Sequence, residues 1–349
     1  MSSPTAFGKL DTLPRHRLGH APTPIDTLAN LSKRFGARTL LMKRDDCTGL
    51  GFGGNKVRQL EFYLGEAGAR GADTVLITGA VQSNFVRVAA AAARVCGMEC
   101  HIQLEERVPM SGEAYRNSGN VLLDVVLGAT LYSYPDGEDE AGADRRLGTI
   151  AAELNAQGRT PYIIPLAPGH APLGALGYVV MAAELLDQIA ASGQPIDEIV
   201  VATGSGHTHG GLLFGLRALG SRIPVTGVCV RRAADLQRPR IAARCQEIAD
   251  LLGVANPVSD DDIQIIDDFL APGYGRLNAP VVEAIRTAAE TEGLFLDPVY
   301  TGRTMAGFLK RAGEIEDGKT IMMVHTGGTP ALFAYGPELT AALGRKQGD

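Results

Sequence analysis

The sequence predicts an α/β protein of two domains, each built on a largely parallel sheet. Three observations carry this. Short, continuously apolar runs such as Asp73-Thr-Val-Leu-Ile-Thr78 alternate with longer runs of helical period, the pattern of strands buried on both faces between crossover helices. Glycine is abundant, at 43 residues, as tight strand-to-helix loops require. A chain of 349 residues also exceeds one ordinary compact domain.

In chain order, residues 1–38 read as an irregular opening segment plus a short helix over 25–35, and Thr39 to Lys43 as a strand. Lys56 then opens a helix whose apolar stripe is Val57, Leu60, Leu64 and Ala67. After the strand at 73–78 comes an alanine-rich helix over 83–95, ended by Gly97. A strand at 99–104, a helix at 117–127, a strand at 130–134, a helix at 139–156 and a strand at 161–165 follow. The Pro- and Gly-rich stretch 165–172 reads as a crossing between domains. Beyond it the spacing predicts helix 174–191, strand 198–202, helix 211–218, strand 225–230 and helix 233–252. Helices at 279–291 and 304–311 and a strand at 320–324 close the pattern. There is no internal repeat and no low-complexity tract.

Composition narrows the class. With 45% hydrophobic and 21% charged residues, the chain has the make-up of a soluble globular protein. A formal charge of −6 and no basic run argue against a nucleic-acid partner. No uncharged apolar run reaches membrane-spanning length, and the first 17 residues lack the apolar core of a secretory signal. The five cysteines, Cys47, Cys96, Cys100, Cys229 and Cys245, are scattered and odd in number, which points to reduced thiols in the cytoplasm. Cys96 and Cys100 lack further ligands for zinc, so no metal is expected.

Chemistry concentrates in a few loops. Lys56 follows Gly51-Phe-Gly-Gly-Asn55, and burial beneath such a tight loop lowers a lysine pKa toward what a Schiff base needs; the alternative is a surface lysine at a helix start. Thr203-Gly-Ser-Gly-His-Thr208 lies between a strand and a helix, where free N–H groups and the helix dipole favour one phosphate, unless it is a glycine-rich turn without a ligand. It matches neither a Walker loop nor a first-unit dinucleotide fingerprint. Gln82, Ser83 and Asn84 crowd three hydrogen-bonding side chains onto a helix start that could hold a carboxylate or serve only as a cap. Tyr274 and Tyr300 each sit in a Pro/Gly turn, and His325-Thr-Gly-Gly328 ends a strand on the side where α/β sites gather.

A Schiff-base lysine, a single-phosphate loop and a carboxylate site together describe a pyridoxal 5′-phosphate (PLP) enzyme. Lys43-Arg-Asp-Asp46, Gly53-Gly-Asn-Lys56, Gln82-Ser-Asn84, Gly273-Tyr274, Asp297-Pro-Val-Tyr300 and His325-Thr-Gly-Gly328 resemble, in order, the motif series of the D-cysteine desulfhydrase / 1-aminocyclopropane-1-carboxylate (ACC) deaminase family. The resemblance runs from about residue 15 to 336. It implies the tryptophan-synthase-β-like PLP fold, two open twisted parallel-sheet domains with the active site in the cleft between them. Residues 1–58 and 173–349 would form the large PLP-binding domain and 59–172 the small one. It further implies that Lys56 holds PLP and shuttles the Cα proton. Asn55 and Asn84 would lie near the cofactor 3-hydroxyl. Ser83 would face the substrate carboxylate or Cα, with Gln82, Asn84 and Phe85 also lining the substrate site. Thr203, Gly204, Ser205, Gly206, His207 and Thr208 would grip the phosphate. Tyr300 would face the pyridine ring, Tyr274 the substrate, and Thr326 the pyridine nitrogen.

Three positions depart from the family pattern. Thr301 stands where deaminases that open the cyclopropane ring resemble one another in a glutamate, which favours the desulfhydrase branch. Phe85 replaces the histidine or glutamine usual there, and His207 a small residue. The expectation is a cytoplasmic, homodimeric enzyme that eliminates sulfide from a small sulfur-bearing amino acid to give pyruvate and ammonia. Release of sulfite from L-cysteate and deamination of ACC are the alternatives, the sulfonate needing an arginine such as Arg87 or Arg116. A catalytically silent binding protein and a nicotinamide dehydrogenase are rivals of other classes. The intact Lys56 with its two tyrosines opposes the first, and the missing fingerprint the second.

Overall fold

The computed structural model describes residues 6–110, 112–166 and 169–344. The first five residues of the expected opening segment, residues 167–168 of the expected crossing and the last five residues of the expected large domain lie outside the described residues.

Two sheets organise the chain. The first half carries β1 (Ile25–Thr27), α1 (Ala29–Arg34), β2 (Thr39–Lys43), α2 (Asn55–Ala69), β3 (Thr74–Ala80), α3 (Asn84–Val95) and β4 (Glu99–Glu105). It continues through α4 (Glu113–Asn117), α5 (Gly119–Val126), β5 (Thr130–Tyr134), α6 (Glu140–Ala156) and β6 (Pro161–Ile164). Then come α7 (Leu173–Ser192), β7 (Glu198–Thr203), α8 (His207–Ala218), β8 (Val225–Cys229), α9 (Ala234–Leu252) and β9 (Ile263–Ile266). The chain ends with α10 (Ala279–Glu292), α11 (Thr301–Glu314), β10 (Thr320–Val324), α12 (Pro330–Ala334) and α13 (Gly336–Leu343). One sheet has the order β5-β4-β3-β6 and is parallel throughout. The other, β1-β2-β10-β7-β8-β9, is parallel except for its edge strand β1. Strands such as β3 and β7 are buried at every position, which is why they read as unbroken apolar runs.

Where local structure departs from expectation, a tertiary contact accounts for it. Residues 25–27, expected as helix, pair antiparallel with β2, and the β-branched Ile25 and Thr27 suit that edge. The expected helix at 117–127 begins only at Gly119, as α5, and an unexpected short α4 precedes it across a break at Ser118. The Gln82 amide takes the Tyr115 and Ser118 carbonyls, and its Oε1 accepts from the Asn120 N–H, so the chain cannot stay helical there. Helix α8 begins at His207, not at 211, because Gly210 and Gly211 are packing glycines: a Cβ on Gly211 would lie 2.3 Å from the Ala175 carbonyl of α7. Strand β9 was not expected. It is short and lies beyond a run of three aspartates.

Helix α7 is long and apolar enough to cross a membrane by composition, with a mean hydropathy of 1.4 over its best window, yet here it packs between α2 and α8. Its Glu184 closes a buried charge network that fixes the start of α2. Lys43 Nζ bonds Glu184 at 2.6 Å, while Arg58 reaches both Glu184, at 2.8 Å, and Asp45, at 3.0 Å. Tyr178 donates to Asp45 at 2.6 Å. Burial raises the Asp45 pKa, but Arg58 and Lys43 outweigh it and hold the carboxyl below its ordinary value. Removing one partner of a buried pair strands the other charge. Arg58→Leu is therefore expected to cost about 3–5 kcal/mol of stability. Thermal melting checks this; a melting temperature equal to that of the native protein would contradict it.

Candidate active site

A cleft opens at the carboxyl ends of both sheets, where the parallel strands hand over to their helices. It encloses about 980 Å³ of non-atom space, its open side included. Lys56 sits in its floor one residue into α2. Its Nζ bonds Gln59 Oε1 at 3.1 Å, lies 4.8 Å from the Phe85 ring centroid, and has no acidic partner among the described residues. Burial therefore lowers its pKa from the ordinary 10.5 to about 8. An amine in that range is a competent nucleophile and proton carrier near neutrality.

Opposite Lys56 lies the loop from β7 to α8. Gly206 caps α8 in the left-handed region, with φ +91°, and no side chain caps the first-turn N–H groups, which leaves them free for an anion. Thr208 Oγ1 accepts from Asn55 Nδ2 at 2.8 Å and Gln59 Nε2 at 3.0 Å, so its own hydrogen remains to donate. Gly204, Ser205, Gly206 and Thr208 line the cleft. Thr203 and His207 do not. Thr203 accepts from Gln237 of α9, while His207 packs behind the loop, where burial, with Arg244 and Lys56 nearby, pushes its pKa well down and keeps it neutral. Backbone donors dominate this loop. Gly204→Val, whose Cβ would meet Val230 at 3.1 Å, is thus expected to lose far more cofactor than Ser205→Ala. Equal cofactor content in the two purified variants would count against this loop as the phosphate site.

On the third side, Ser83 caps α3, accepting from the Phe85 and Val86 N–H groups at 3.2 and 3.4 Å, and keeps its hydroxyl hydrogen for the cleft. Asn84 Oδ1 accepts from Arg87 at 3.1 Å and Asn120 at 3.0 Å, which turns its Nδ2 into a fixed donor. Tyr274 and Tyr300 both line the cleft, their hydroxyls 2.7 Å apart and their rings edge to face. Burial, with Tyr274 beside it, raises the Tyr300 pKa far above the phenolic range. The Thr326 hydroxyl has no hydrogen-bond partner among the described residues, and Thr326 also lines the cleft.

Several expected roles move. Gln82 does not line the cleft; its side chain bridges α4 and α5, so it is a structural residue. Asn55 turns its amide to Thr208 at the phosphate end. Thr301 is fully buried, its hydroxyl donating to Asp297 at 2.8 Å inside the turn, away from the cleft. Arg87 lies behind Asn84, and Arg116 pairs with Glu106, so neither reaches in. Arginines that do line the cleft were missed: Arg107, Arg231, Arg232 and Arg240, with Glu140. The signal was available, since Arg231-Arg232 follows directly on a predicted strand.

The sequence profile described as pyridoxal-phosphate dependent enzyme matches residues 16–327. The chain belongs to that family. Among its relatives are D-cysteine desulfhydrases of Salmonella choleraesuis (strain SC-B67) and Salmonella typhi. Each is 41% identical over 332 residues, covering 95% of this chain and 98% of the relative. A crystal structure of an ACC deaminase homologue superposes with a TM-score of 0.85 at 38% identity, covering 97% of this chain and 99% of that one. O-ureido-L-serine synthase, at 19% identity and TM-score 0.67 over 97% and 96% of the two chains, shares the fold. The cleft suits the family cofactor. An unpaired low-pKa lysine faces a loop of free N–H groups, and spare donors on Thr208, Asn84 and Thr326 surround the space between them.

Proposed function

We propose that this enzyme carries out α,β-elimination on a small amino acid bearing sulfur at Cβ, as a D-cysteine desulfhydrase does, yielding pyruvate, ammonia and sulfide. The observation that carries the reading is Lys56, lowered to about 8 and held against Phe85 with no counter-ion. PLP, when bound, supplies an electron sink for the pair left on Cα. Lys56 Nζ would be its covalent anchor, and the same amine, lowered to about 8, would be the base for the Cα proton. Held beside Cα, it acts as an effectively intramolecular base. The Ser83 hydroxyl hydrogen, left over from the cap, binds the α-carboxylate. Asn84 Nδ2 would hold the cofactor's 3-oxygen, and the neutral Thr326 hydroxyl its ring nitrogen. The hydrogen-bonded pair Tyr274–Tyr300 faces the departing sulfur, and Phe85 walls the site with an apolar surface suited to a thiol. Breaking the Cβ–S bond leaves aminoacrylate, which water converts to pyruvate and ammonia. Pyruvate release from D-cysteine tests the reading, and its absence rejects it.

Release of sulfite from L-cysteate is the second reading, favoured by the arginines at the mouth of the cleft. A cytoplasmic setting accords with the five free cysteines. A homodimer accords with the exposed apolar residues Leu122, Val125 and Val126 of α5 and Phe333 of the adjoining α12. Sedimentation at the mass of one chain would rule the dimer out.

A further inference from the structure

The mouth of the cleft carries a charge imbalance. Arg231 and Arg232 follow β8 and Arg240 lies on α9, all on the six-stranded side. Across from them, Glu140 opens α6 on the four-stranded side. Arg231 and Arg232 share one oxygen of Glu140, at 3.0 and 2.7 Å. Arg240 comes only to 3.9 Å of the other oxygen, and its buried Nε has no partner among the described residues. The second acid nearby, Glu138, is 81% exposed and reaches Arg231 alone, at 3.4 Å. Arg107 adds no relief, being paired with Glu105 at 2.7 Å. Desolvation and the neighbouring guanidiniums lower the pKa values of Arg232 and Arg240, as expected of like charges crowded together and half withdrawn from water. Such a cluster is stable where an anion completes it.

We propose that Arg231, Arg232 and Arg240 form a second anion subsite of the cleft. It takes a negative charge on the substrate's β-substituent, and Glu140 occupies it in the free enzyme and is displaced on binding. This deepens the elimination reading and rests on it. The ligand class is a short amino acid whose Cβ bears a thiolate, sulfonate or carboxylate. Where the substituent leaves, guanidiniums aimed at it stabilise the charge that develops as the Cβ bond breaks. The cofactor phosphate is the other anion within reach, though the loop 204–208 already offers it backbone donors.

The test is calorimetric titration of the holoenzyme with aspartate and with alanine, in both hands. These share the α-carbon groups and differ by one β-carboxylate. Aspartate is expected to bind at least about tenfold tighter, the worth of one charged hydrogen bond. Arg232→Gln and Arg240→Gln should bring the ratio toward one. Glu140→Gln should raise it by removing the resident competitor, a gain that misfolding cannot mimic. A native ratio near one, a ratio unmoved in all three variants, or binding of neither compound overturns the proposal. So does loss of cofactor from Arg240→Gln with the ratio intact, since the arginines would then serve the phosphate. Failure to make pyruvate from either D-cysteine or L-cysteate would instead remove the elimination reading while leaving this ratio as measured.

Discussion

Lys56→Ala is expected to abolish turnover, by at least about a thousandfold, because one substitution removes both the covalent anchor and the base at Cα. No other lysine lines the cleft among the described residues. Lys43, the nearest lysine in sequence, is fully buried and tied to Glu184, Gln188 and the Thr23 carbonyl, so it cannot substitute. The variant should fold, since Lys56 makes only one hydrogen bond, whereas the network that fixes α2 runs through Arg58. Borohydride reduction of the native holoenzyme should fix the cofactor to Lys56 alone. Cofactor fixed by borohydride to a different lysine in the variant would sink the assignment.

Sulfur-bearing three-carbon substrates are expected to exceed ACC by at least about a hundredfold in kcat/KM, on the order of 3 kcal/mol. Opening a cyclopropane ring demands a charged or strongly basic group near the cofactor nitrogen or Cβ. Position 301 does not supply one: its threonine is neutral, and its hydroxyl is locked onto Asp297 inside the turn. A thiolate or sulfite, in contrast, departs readily once charge has accumulated at Cα. Rates of keto-acid formation from D-cysteine, L-cysteate and ACC under one condition check this, and faster turnover of ACC than of either sulfur compound would reverse the branch.

The parts of this protein legible in the sequence are those set by local pattern. Unbroken apolar runs marked strands such as β3, and the stripe Val57, Leu60, Leu64 and Ala67 marked α2, all four positions being buried. Lys56 and the loop at 204–208 stood out because glycines bracket reactive or anion-binding groups. What stayed hidden depends on partners distant in sequence. Gln82 looks like a site residue until its amide is seen to hold Ser118, 36 positions away. The arginine rim was missed because it forms only when α6 meets the loop after β8, about 92 residues further on. Glycines 210 and 211 read as loop because their packing against α7 and α9 has no local signature.

The most direct measurement is the balance of sulfur against keto acid. Holoenzyme supplied with D-cysteine, and separately with L-cysteate, should release one sulfide or one sulfite for each pyruvate formed, with ammonia in the same amount. Pyruvate without stoichiometric sulfur release, or no pyruvate from either compound, would contradict elimination at Cβ.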